Sequence, residues 1–317
     1  MSQLKLAVFA DGEVGYRAIE FLKQSYPDHL MAVFVTEHSQ IRDKLTKLGI
    51  HQDSIHSNTL RGEEKIKLLR SLELDYILLA WWPHIIKQPI ITIPQKGVLN
   101  FHPSYLPYNR GKHYNFWTIL EDTPFGVTIH FVNEKIDSGD IVFQKRIAKN
   151  WEDTGKSLYR KAATAMVELF IESYPLLIAN QFSRIPQNLT EGSFHYAKEL
   201  EPASEITLDY SYMCKDLLNL IRARVFPPHP SCWFYHNKRK FNVTIEIGES
   251  HKSQLPEDCL EISLTQSCKA KDLLLPCKHS NNTNRCFYFN NDDKTYKVFL
   301  TIAPEANKFC VEFQEGS

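Results

Sequence analysis

The sequence predicts an α/β fold: a Rossmann-like, mostly parallel sheet flanked by helices, followed by a smaller C-terminal α+β domain that contains a β-hairpin. Three observations lead to this prediction. Up to about residue 180, short apolar runs alternate with segments of helical period, as layered α/β domains require. A polar stretch with prolines then interrupts the periodicity. Beyond it, two aromatic runs flank a short turn.

Six apolar runs are the candidate strands of the N-terminal part. Each has the length of an ordinary strand and is bounded by polar or turn-forming residues. Because they alternate with helical segments, they favour a sheet of mostly parallel strands. In chain order the predicted strands are Lys5–Phe9, Met31–Thr36, Tyr76–Ala80, Val98–Phe101, Val127–Val132 and Ile141–Gln144.

Helices are predicted in the intervals between these strands. In the last of them, Leu158, Ala162, Met166 and Phe170 recur every fourth residue and form one apolar face, which we expect to pack on the sheet. Thr154 is a suitable N-cap for it. The predicted helices are Gly15–Gln24, Glu63–Ser71, His113–Leu120 and the long helix that starts at Thr154.

The chain is expected to divide at the polar stretch. We assign residues 1–180 to an N-terminal domain, residues 181–205 to a linker, and residues 206–317 to a C-terminal helix-hairpin domain. Alternating aromatic residues on both sides of a short polar turn predict the hairpin. The predicted C-terminal elements are the helix Ser211–Arg222, the strands Cys232–His236 and Phe241–Ile247, and the turn Asn237–Lys240.

A looser second copy of this helix and hairpin follows. Lys215–Leu218 is echoed by Lys271–Leu274, and Cys232–Tyr235 by Cys286–Phe289, at offsets of 56 and 54 residues. Self-similarity at a fixed spacing is the mark of a repeated structural unit. We therefore interpret the C-terminal domain as duplicated, with coincidence as the alternative.

Composition excludes several classes of protein. The chain has 317 residues, 43% of them hydrophobic, enough to bury a sizeable core. Its 37 basic and 37 acidic side chains cancel, so no overall field attracts nucleic acid or an anionic membrane. The first apolar run, Leu6–Ala10, is too short for a signal peptide or a membrane span. Seven cysteines without CxxC spacing argue against a disulfide framework, so we expect a cytoplasmic protein.

The densest polar signal follows the fourth predicted strand. Asn100 and His102 are two residues apart, so on an extended strand both side chains lie on one face, about 6 to 7 Å apart along the chain. The C-terminal end of a strand in an open α/β sheet is where ligands usually bind. An amide that binds an oxyanion, beside an imidazole that handles a proton, suits acyl transfer.

A carboxylate for this pair is offered by the loop after the next strand. Either Asp137 or Asp140 would serve, and the spacing alone does not choose between them. The alternative is structural, since an Asp-Ser-Gly-Asp sequence is commonly a turn held by side-chain-to-backbone hydrogen bonds. His102, His113 and His130 lack a short ligand spacing such as HxxxH, so we predict no metal site.

Taken together, these stretches resemble the N10-formyltetrahydrofolate-dependent formyltransferases, which act on methionyl-tRNA, glycinamide ribonucleotide or amino sugars. The resemblance covers residues 1–180 and implies that Asn100, His102 and Asp137 are catalytic, whereas Asp140 borders the folate. The motifs that carry it are Leu99–Pro107 with Arg110 and Gly111, Gly126–His130, and Ile136–Ile141.

The resemblance also implies N10-formyltetrahydrofolate as the co-substrate. The segment after the third predicted strand is similar to the one that binds the pterin in this family, although Trp81 stands where relatives often have glycine. Core packing is the alternative for Trp81 and its neighbour. The implied folate-binding residues are Trp82, His84, Ile85, Ile86, Ile136 and Asp140.

Within the family, Tyr108–Trp117 and Thr123–His130 are most similar to enzymes of surface-polysaccharide synthesis that formylate nucleotide-linked amino-dideoxysugars. The resemblance implies a dTDP-linked 3-amino or 4-amino 6-deoxyhexose as substrate. A diphosphate needs positive charge, and Arg110 is favoured because it lies inside the motif. The implied substrate-binding residues are Tyr105, Asn109, Arg110 and Lys112.

Two other functions remain open. The first is methionyl-tRNA formylation, for which five residues would form a basic patch, although the zero net charge weighs against a nucleic-acid substrate. The second is a catalytically silent binding module in the C-terminal half. The aromatic hairpin Cys232–Ile247 also predicts a homodimer, because an isolated hairpin is only marginally stable. The candidate basic patch comprises Arg222, Arg224, Lys238, Arg239 and Lys240.

Overall fold

The computed structural model describes residues 3–51, 54–57, 62–256, 259–275 and 284–305. The chain folds into two compact units. The first comprises the described residues up to Lys149 together with Ser157–Ala197. The second comprises Asn150–Lys156 and the described residues from Lys198 onward.

The first unit is built on a seven-stranded sheet, which confirms the predicted α/β fold. The sheet order is β3-β2-β1-β4-β5-β7-β8, and β6 and β9 form a separate two-stranded pair. Strands β1 to β5 of the main sheet are parallel, whereas β7 and β8 are antiparallel to their neighbours. The strands are β1 Leu6–Ala10, β2 Leu30–Val35, β3 Ile55–Ser57, β4 Tyr76–Ala80, β5 Gly97–His102, β6 Arg110–Gly111, β7 Gly126–Phe131, β8 Ile141–Arg146 and β9 Phe194–His195.

Helices cover both faces of this sheet, as expected where parallel strands are buried. The predicted apolar face of α5 is buried, and Phe170 on it lies 4.9 Å from Phe101 on β5, ring centre to ring centre. No helix among the described residues is long and apolar enough to cross a membrane. The helices are α1 Gly12–Ser25, α2 Arg42–Lys47, α3 Glu63–Ser71, α4 Tyr114–Leu120 and α5 Gly155–Ile178.

The order and register of the central strands position the polar motif. Every residue of β1 and β4 is buried. Each buried leucine, isoleucine, valine or phenylalanine there stabilises the fold by about 1.5–3 kcal/mol relative to exposure. Next to β4, β5 carries Asn100 and His102 at its end, and antiparallel β7 places His130 directly opposite Asn100. The polar motif therefore lies at the C-terminal end of a strand that has neighbours on both sides in the sheet.

Residues 181–197 differ from the linker that we expected over residues 181–205. They belong to the first unit and run along its polar motif. Ile185 pairs with Ile141, and β9 pairs in parallel with β6. At Gly192 any Cβ would overlap the carbonyl oxygen of Pro107, so only glycine permits this close approach. The absence of periodicity here reflects short pairings, each of one or two residues.

The second unit is rich in sheet and contains the expected hairpin. The five-stranded sheet has the order β11-β12-β16-β15-β13, and β10 pairs with β14. The predicted helix at Ser211 begins instead at Cys214, because residues 211–213 pair with β14. The elements are α6 Leu200–Ala203, β10 Ser211–Met213, α7 Cys214–Ala223, β11 Cys232–His236, β12 Arg239–Ser250, β13 Leu260–Glu261, β14 Ser267–Lys269, α8 Ala270–Leu274, β15 Asn284–Asn291 and β16 Lys294–Pro304.

Candidate active site

The structure brings together three residues that are distant in the sequence. Asn100 and His102 lie at the end of β5, and Asp137 lies on the loop after β7. The amide Nδ2 of Asn100 donates to Oδ1 of Asp137 at 3.3 Å, and Nδ1 of His102 lies 3.5 Å from Oδ2 of the same carboxylate. His102 is buried, with 4% of its surface exposed. Of the two candidate aspartates, it is Asp137 that contacts both partners.

His130 belongs to the same cluster, although the sequence motif suggested it only as a metal ligand. Its Nδ1 lies 2.8 Å from the carbonyl oxygen of Phe131, so Nδ1 carries the proton and donates it. Its Nε2 is therefore an acceptor, and it receives a hydrogen bond of 3.1 Å from Nδ2 of Asn100. Antiparallel pairing of the two strands, which places His130 opposite Asn100, was the signal that could have revealed it.

The amide of Asn100 is consequently saturated in this state. Its Nδ2 donates to both His130 and Asp137, which uses its two hydrogens. An oxyanion-binding role for Asn100 requires the longer of these bonds, to Asp137, to be exchanged for a bond to the substrate. The structure thus shows an oriented amide whose weaker contact is the one available for exchange.

The charge states of the pair follow from burial and hydrogen bonding. Burial lowers the pKa of His102, and although Asp137 raises it, burial prevails. Burial also opposes ionisation of Asp137, but the positive charge that His102 and His130 carry when protonated, together with the backbone N–H of Gly111 at 3.0 Å, holds its pKa well below the ordinary range. The site therefore presents a neutral imidazole beside an ionised carboxylate at neutral pH.

Two residues from the segment 181–197 hold the loop that carries Asp137. Nε2 of Gln187 donates to the carbonyl oxygens of Asp137 and Gly139, at 3.1 and 2.6 Å. Nε of Arg184 donates to Oδ2 of Asp140 at 3.1 Å. A Cβ at Gly139 would overlap the carbonyl oxygen of Phe131, so this turn tolerates only glycine. Sequence analysis missed Arg184 and Gln187 because nothing in the motif points to the distant segment.

The cluster also has the composition of a metal site. The potential ligand atoms of His102, His130 and Asp137 lie within 4.8 Å of one another. However, the protonated Nδ1 of His130 is bonded to a carbonyl and its Nε2 accepts from Asn100, so hydrogen bonds already account for this ring. Our prediction that no metal takes part stays a prediction.

Two family models match this chain. The model described as formyl transferase matches residues 8–174, more than half of the chain, including β5 and the Asp137 loop. The chain belongs to the formyl transferase family. A second model, described as the N-formyltransferase dimerization C-terminal domain, matches residues 199–249 of this formyl transferase.

One curated relative is similar over most of this chain. Over 280 aligned residues, the formyl transferase is 26% identical to the bifunctional polymyxin resistance protein ArnA of Wigglesworthia glossinidia brevipalpis. The match covers 85% of this chain and 42% of that protein. The chain thus spans less than half the length of that relative.

Two solved structures share the fold of this formyl transferase. A 4-N formyltransferase from Francisella tularensis is 23% identical, with a TM-score of 0.63 over 74% of this chain and 93% of that chain. An N-formyltransferase from Helicobacter canadensis, in complex with folinic acid and dTDP-3-aminofucose, is 21% identical, with a TM-score of 0.61 over 76% of this chain and 88% of that one.

Of the residues expected to contact folate in this formyl transferase, Trp82 and Ile86 have their side chains in the core. Trp82 packs edge-on against Phe9, at 5.4 Å between ring centres. Because both side chains are buried, these two residues would contact a ligand through their backbone. The backbone of this segment lies outside any helix or strand. Trp81 has a φ of 54°, a left-handed conformation that glycine adopts freely and other residues rarely adopt.

The other four expected folate residues lie at the surface or close to it. Ile85 and Ile136 expose 64% and 40% of their surface, an unusual exposure for large apolar side chains. His84, which precedes Ile85 in the sequence, is also exposed. Asp140 is half-buried and engaged by Arg184.

The residues expected to contact the sugar nucleotide fall into two groups. Asn109 is fully buried, and its Nδ2 donates to the hydroxyls of Thr118 and Thr123, both at 2.7 Å, so its side chain stabilises the loop and does not face a ligand. Tyr105 and Arg110 are half-buried, and Lys112 is exposed. Those three side chains remain available for binding.

Proposed function

We propose that this formyl transferase moves the formyl group of N10-formyltetrahydrofolate to the amine of a nucleotide-linked amino-dideoxysugar. The observation that carries the proposal is the cluster at the end of β5, where an ionised Asp137 contacts both the neutral, buried His102 and the oriented amide of Asn100. Such a cluster handles one proton near neutral pH without a covalent enzyme intermediate.

The proposed chemistry balances within this cluster. The amine nitrogen bonds to the formyl carbon, and the bond from that carbon to N10 of the folate breaks. His102, neutral because of its burial, accepts the proton that the amine loses and returns it to N10, directly or through a water. Asp137 stabilises the transient imidazolium, and Asn100 offers its exchangeable hydrogen to the developing oxyanion.

Exposed apolar side chains support folate as the donor. Ile85 and Ile136 lie on the two segments expected to bind it, and each is more exposed than a large aliphatic side chain normally is. A planar pterin would cover them and remove their surface from water. The backbone around Trp82 and Ile86, which lies outside any helix or strand, offers polar groups for the edge of the ring.

Arg110 supports a phosphorylated acceptor. Its Nε is buried and makes no hydrogen bond with any residue that the structure describes, and burial lowers its pKa although Asp137 raises it. Its Nη2 donates to the carbonyl oxygen of Leu189 at 3.5 Å, and no carboxylate among the described residues forms an ion pair with the guanidinium. The diphosphate of a sugar nucleotide would supply an anionic partner. The Helicobacter relative is in complex with dTDP-3-aminofucose, and we extend that class of acceptor to this chain.

The structure weakens the alternative of a tRNA acceptor. Two of the five residues in the candidate basic patch, Arg222 and Arg224, are buried. Arg222 donates to the carbonyl oxygens of Asn150 and Asp153, at 2.9 and 2.8 Å. Lys240 pairs with Glu305 at 3.0 Å. The patch is therefore reduced to the hairpin turn, which offers little charge for a phosphate backbone.

The experiment that tests this proposal is a transfer assay on purified protein. N10-formyltetrahydrofolate is supplied with a panel of dTDP-, GDP- and UDP-linked 3-amino and 4-amino 6-deoxysugars, and in parallel with methionyl-tRNA. Gain of one formyl group by a nucleotide sugar, read by mass spectrometry, would support the proposal and name the acceptor. Transfer to methionyl-tRNA alone would overturn the choice of acceptor, and no transfer to any acceptor would favour a binding module.

A further inference from the structure

The second unit contains the same order of elements twice. We call residues 205–250 module 1 and residues 261–304 module 2. In each, a short extended segment is followed by a three-residue strand, a helix and a two-stranded hairpin. The dimerization-domain match covers residues 199–249 and thus includes module 1 and not module 2.

The two modules correspond residue by residue. Glu205-Ile206-Thr207-Leu208 matches Glu261-Ile262-Ser263-Leu264 at an offset of 56 residues, and the helices α7 and α8 begin at the same offset. N–H of Ile206 donates to the carbonyl of Trp233 at 2.8 Å, and N–H of Ile262 donates to that of Tyr288 at 2.9 Å. The same local hydrogen bond is therefore made twice.

The hairpins match at an offset of 55 residues. Both have two-residue turns in the left-handed conformation, Asn237–Lys238 and Asp292–Asp293. This corrects our offset of 54, which aligned Cys232 with Cys286. The buried Cys232 corresponds instead to the buried Phe287, and a slip of one residue would reverse the two faces of the strand.

Hydrogen bonds between the modules are exchanged reciprocally. N–H of Cys214 donates to the carbonyl of Gln266 at 2.9 Å, and N–H of Ala270 donates to that of Tyr210 at 3.3 Å. The second bond is the equivalent of the first. Adding 56 to the residue number of the donor Cys214 gives Ala270, and subtracting 56 from that of the acceptor Gln266 gives Tyr210. The bond from Lys271 to Leu208, at 2.9 Å, has the same counterpart in the bond from Lys215 to Leu264, at 3.2 Å.

The paired strands obey the same symmetry. In the β10–β14 pair, Tyr212 lies opposite Cys268, which is its own equivalent in module 2. In the β12–β16 pair, Ile245 lies opposite its equivalent, Leu300. A pseudo-two-fold axis thus passes through both ladders. When a surface binds its own copy around a two-fold axis, residue i contacts j and j contacts i, as is normal between identical chains in a homodimer.

Module 2 also covers a strand edge that module 1 would otherwise leave open. Strand β12 has 12 residues, and ten of them pair with β16. Without that partner, β12 would present a long open edge above buried apolar residues such as Val243 and Ile245, a surface that invites pairing with another chain. Module 2 covers this edge with Val298 and Leu300, which are equally buried.

We propose that module 2 takes the place that the dimerization domain of a second chain would occupy, so that this enzyme is a monomer carrying its dimerization partner in its own chain. The pairing is intramolecular, with module 1 and module 2 as the two halves of a pseudo-dimer. This proposal replaces the homodimer that we expected from the exposed hairpin.

Light scattering of the full-length protein, under reducing conditions and across the micromolar range, tests the proposal. The expected mass is that of one chain, 36.9 kDa, without dependence on concentration. A stable dimer would overturn the proposal.

A cysteine pair tests the pairing itself. Thr244 and Thr301 lie opposite each other on the exposed face of β12 and β16, within reach of a disulfide. After oxidation, Thr244→Cys with Thr301→Cys is expected to give a cross-linked peptide pair within single chains. Thr244→Cys with Thr295→Cys, six residues further along β16, is the control and should give none. A cross-link between two chains, or no cross-link in the first variant, would contradict pairing within one chain.

Discussion

The burial of His102 sets the pH at which the proposed proton transfer can work. Burial lowers the pKa of this imidazole below its ordinary value of 6.5, and the imidazole accepts a proton only when neutral. Activity should therefore fall as the pH drops through the lowered pKa. The acid limb of a kcat/KM profile is expected to have its midpoint below pH 6.5. A midpoint at or above that value would contradict a buried neutral His102 as the proton acceptor.

Asp137 offers a second test on the same profile. Its charge raises the pKa of His102 and so opposes the effect of burial. Asp137→Asn should lower kcat and move the acid midpoint to still lower pH, because the opposing charge is gone. Circular dichroism would show that the fold is kept. If kcat falls while the midpoint stays in place, Asp137 does not act through the imidazole.

Asn100 is expected to act as an oxyanion donor in exchange for its 3.3 Å bond to Asp137. Removing one preorganised donor of this kind typically costs on the order of 100-fold or more in turnover. We therefore predict a fall of about 100-fold in kcat for Asn100→Ala, measured with saturating substrates. A fall within about threefold, with folding intact, would remove that role from Asn100.

The potential ligand atoms of His102, His130 and Asp137 lie within 4.8 Å of one another, so metal dependence of the reaction can be tested directly. Because hydrogen bonds already account for both nitrogens of His130, we predict that formyl transfer continues unchanged after dialysis against EDTA. The check is the initial rate before and after dialysis, with added zinc as the comparison. Loss of activity that zinc restores would show that the cluster is a metal site.

The placement of single side chains was predictable where it depends on local strand geometry. The placement of Asn100 and His102 on one face follows from their alternation on one strand, whereas the choice of Asp137 over Asp140 came from the family resemblance and not from the spacing. Asn109 and Trp82 were not predictable, because their burial depends on partners that are distant in the sequence, the threonine hydroxyls for Asn109 and Phe9 for Trp82. A motif gives the identity of a side chain and not the direction in which it points.

At the scale of elements, the segment 181–197 supports the catalytic loop from outside the motif. Gln187 donates two hydrogen bonds to loop carbonyls, so Gln187→Glu would set a carboxylate against two acceptors. Leaving such groups unpaired costs about 1–3 kcal/mol, so we predict a loss of roughly tenfold or more in kcat. Gln181→Glu, at an exposed position of the same segment, is the matched control and should leave kcat unchanged. Equal kcat values for both variants and the wild type would contradict this positioning role.

The regular elements were predictable and the short pairings were not. The limits of β4 and α3 agree with prediction, because apolar runs and helical period are local properties of the chain. Strands β6 and β9 have two residues each and pair across more than 80 positions, so no periodicity marks them. That pairing is why a stretch that looks like a linker in sequence lies along the motif in the structure.

At the scale of the whole molecule, the sequence repeat was visible but its consequence was not. Recurring residues in the second unit indicate a duplication, yet only strand pairing shows that the two copies bind each other with two-fold symmetry through Tyr212–Cys268 and Ile245–Leu300. The sequence alone, with an aromatic hairpin and no visible partner for it, suggested a partner chain. Long-range pairing is a property of the folded chain, which local patterns do not encode.

The central claim is that the cluster around His102 transfers a formyl group to a sugar amine. The most direct measurement supplies N10-[13C]formyltetrahydrofolate and the acceptor found in the panel, and follows the label by NMR in the wild type and in His102→Asn. We expect a labelled formamide on the sugar in the wild type and its loss in the variant, with folding unchanged. A label that stays on the folate with every nucleotide sugar, or a variant that transfers it at the wild-type rate, would contradict the proposed role of this cluster.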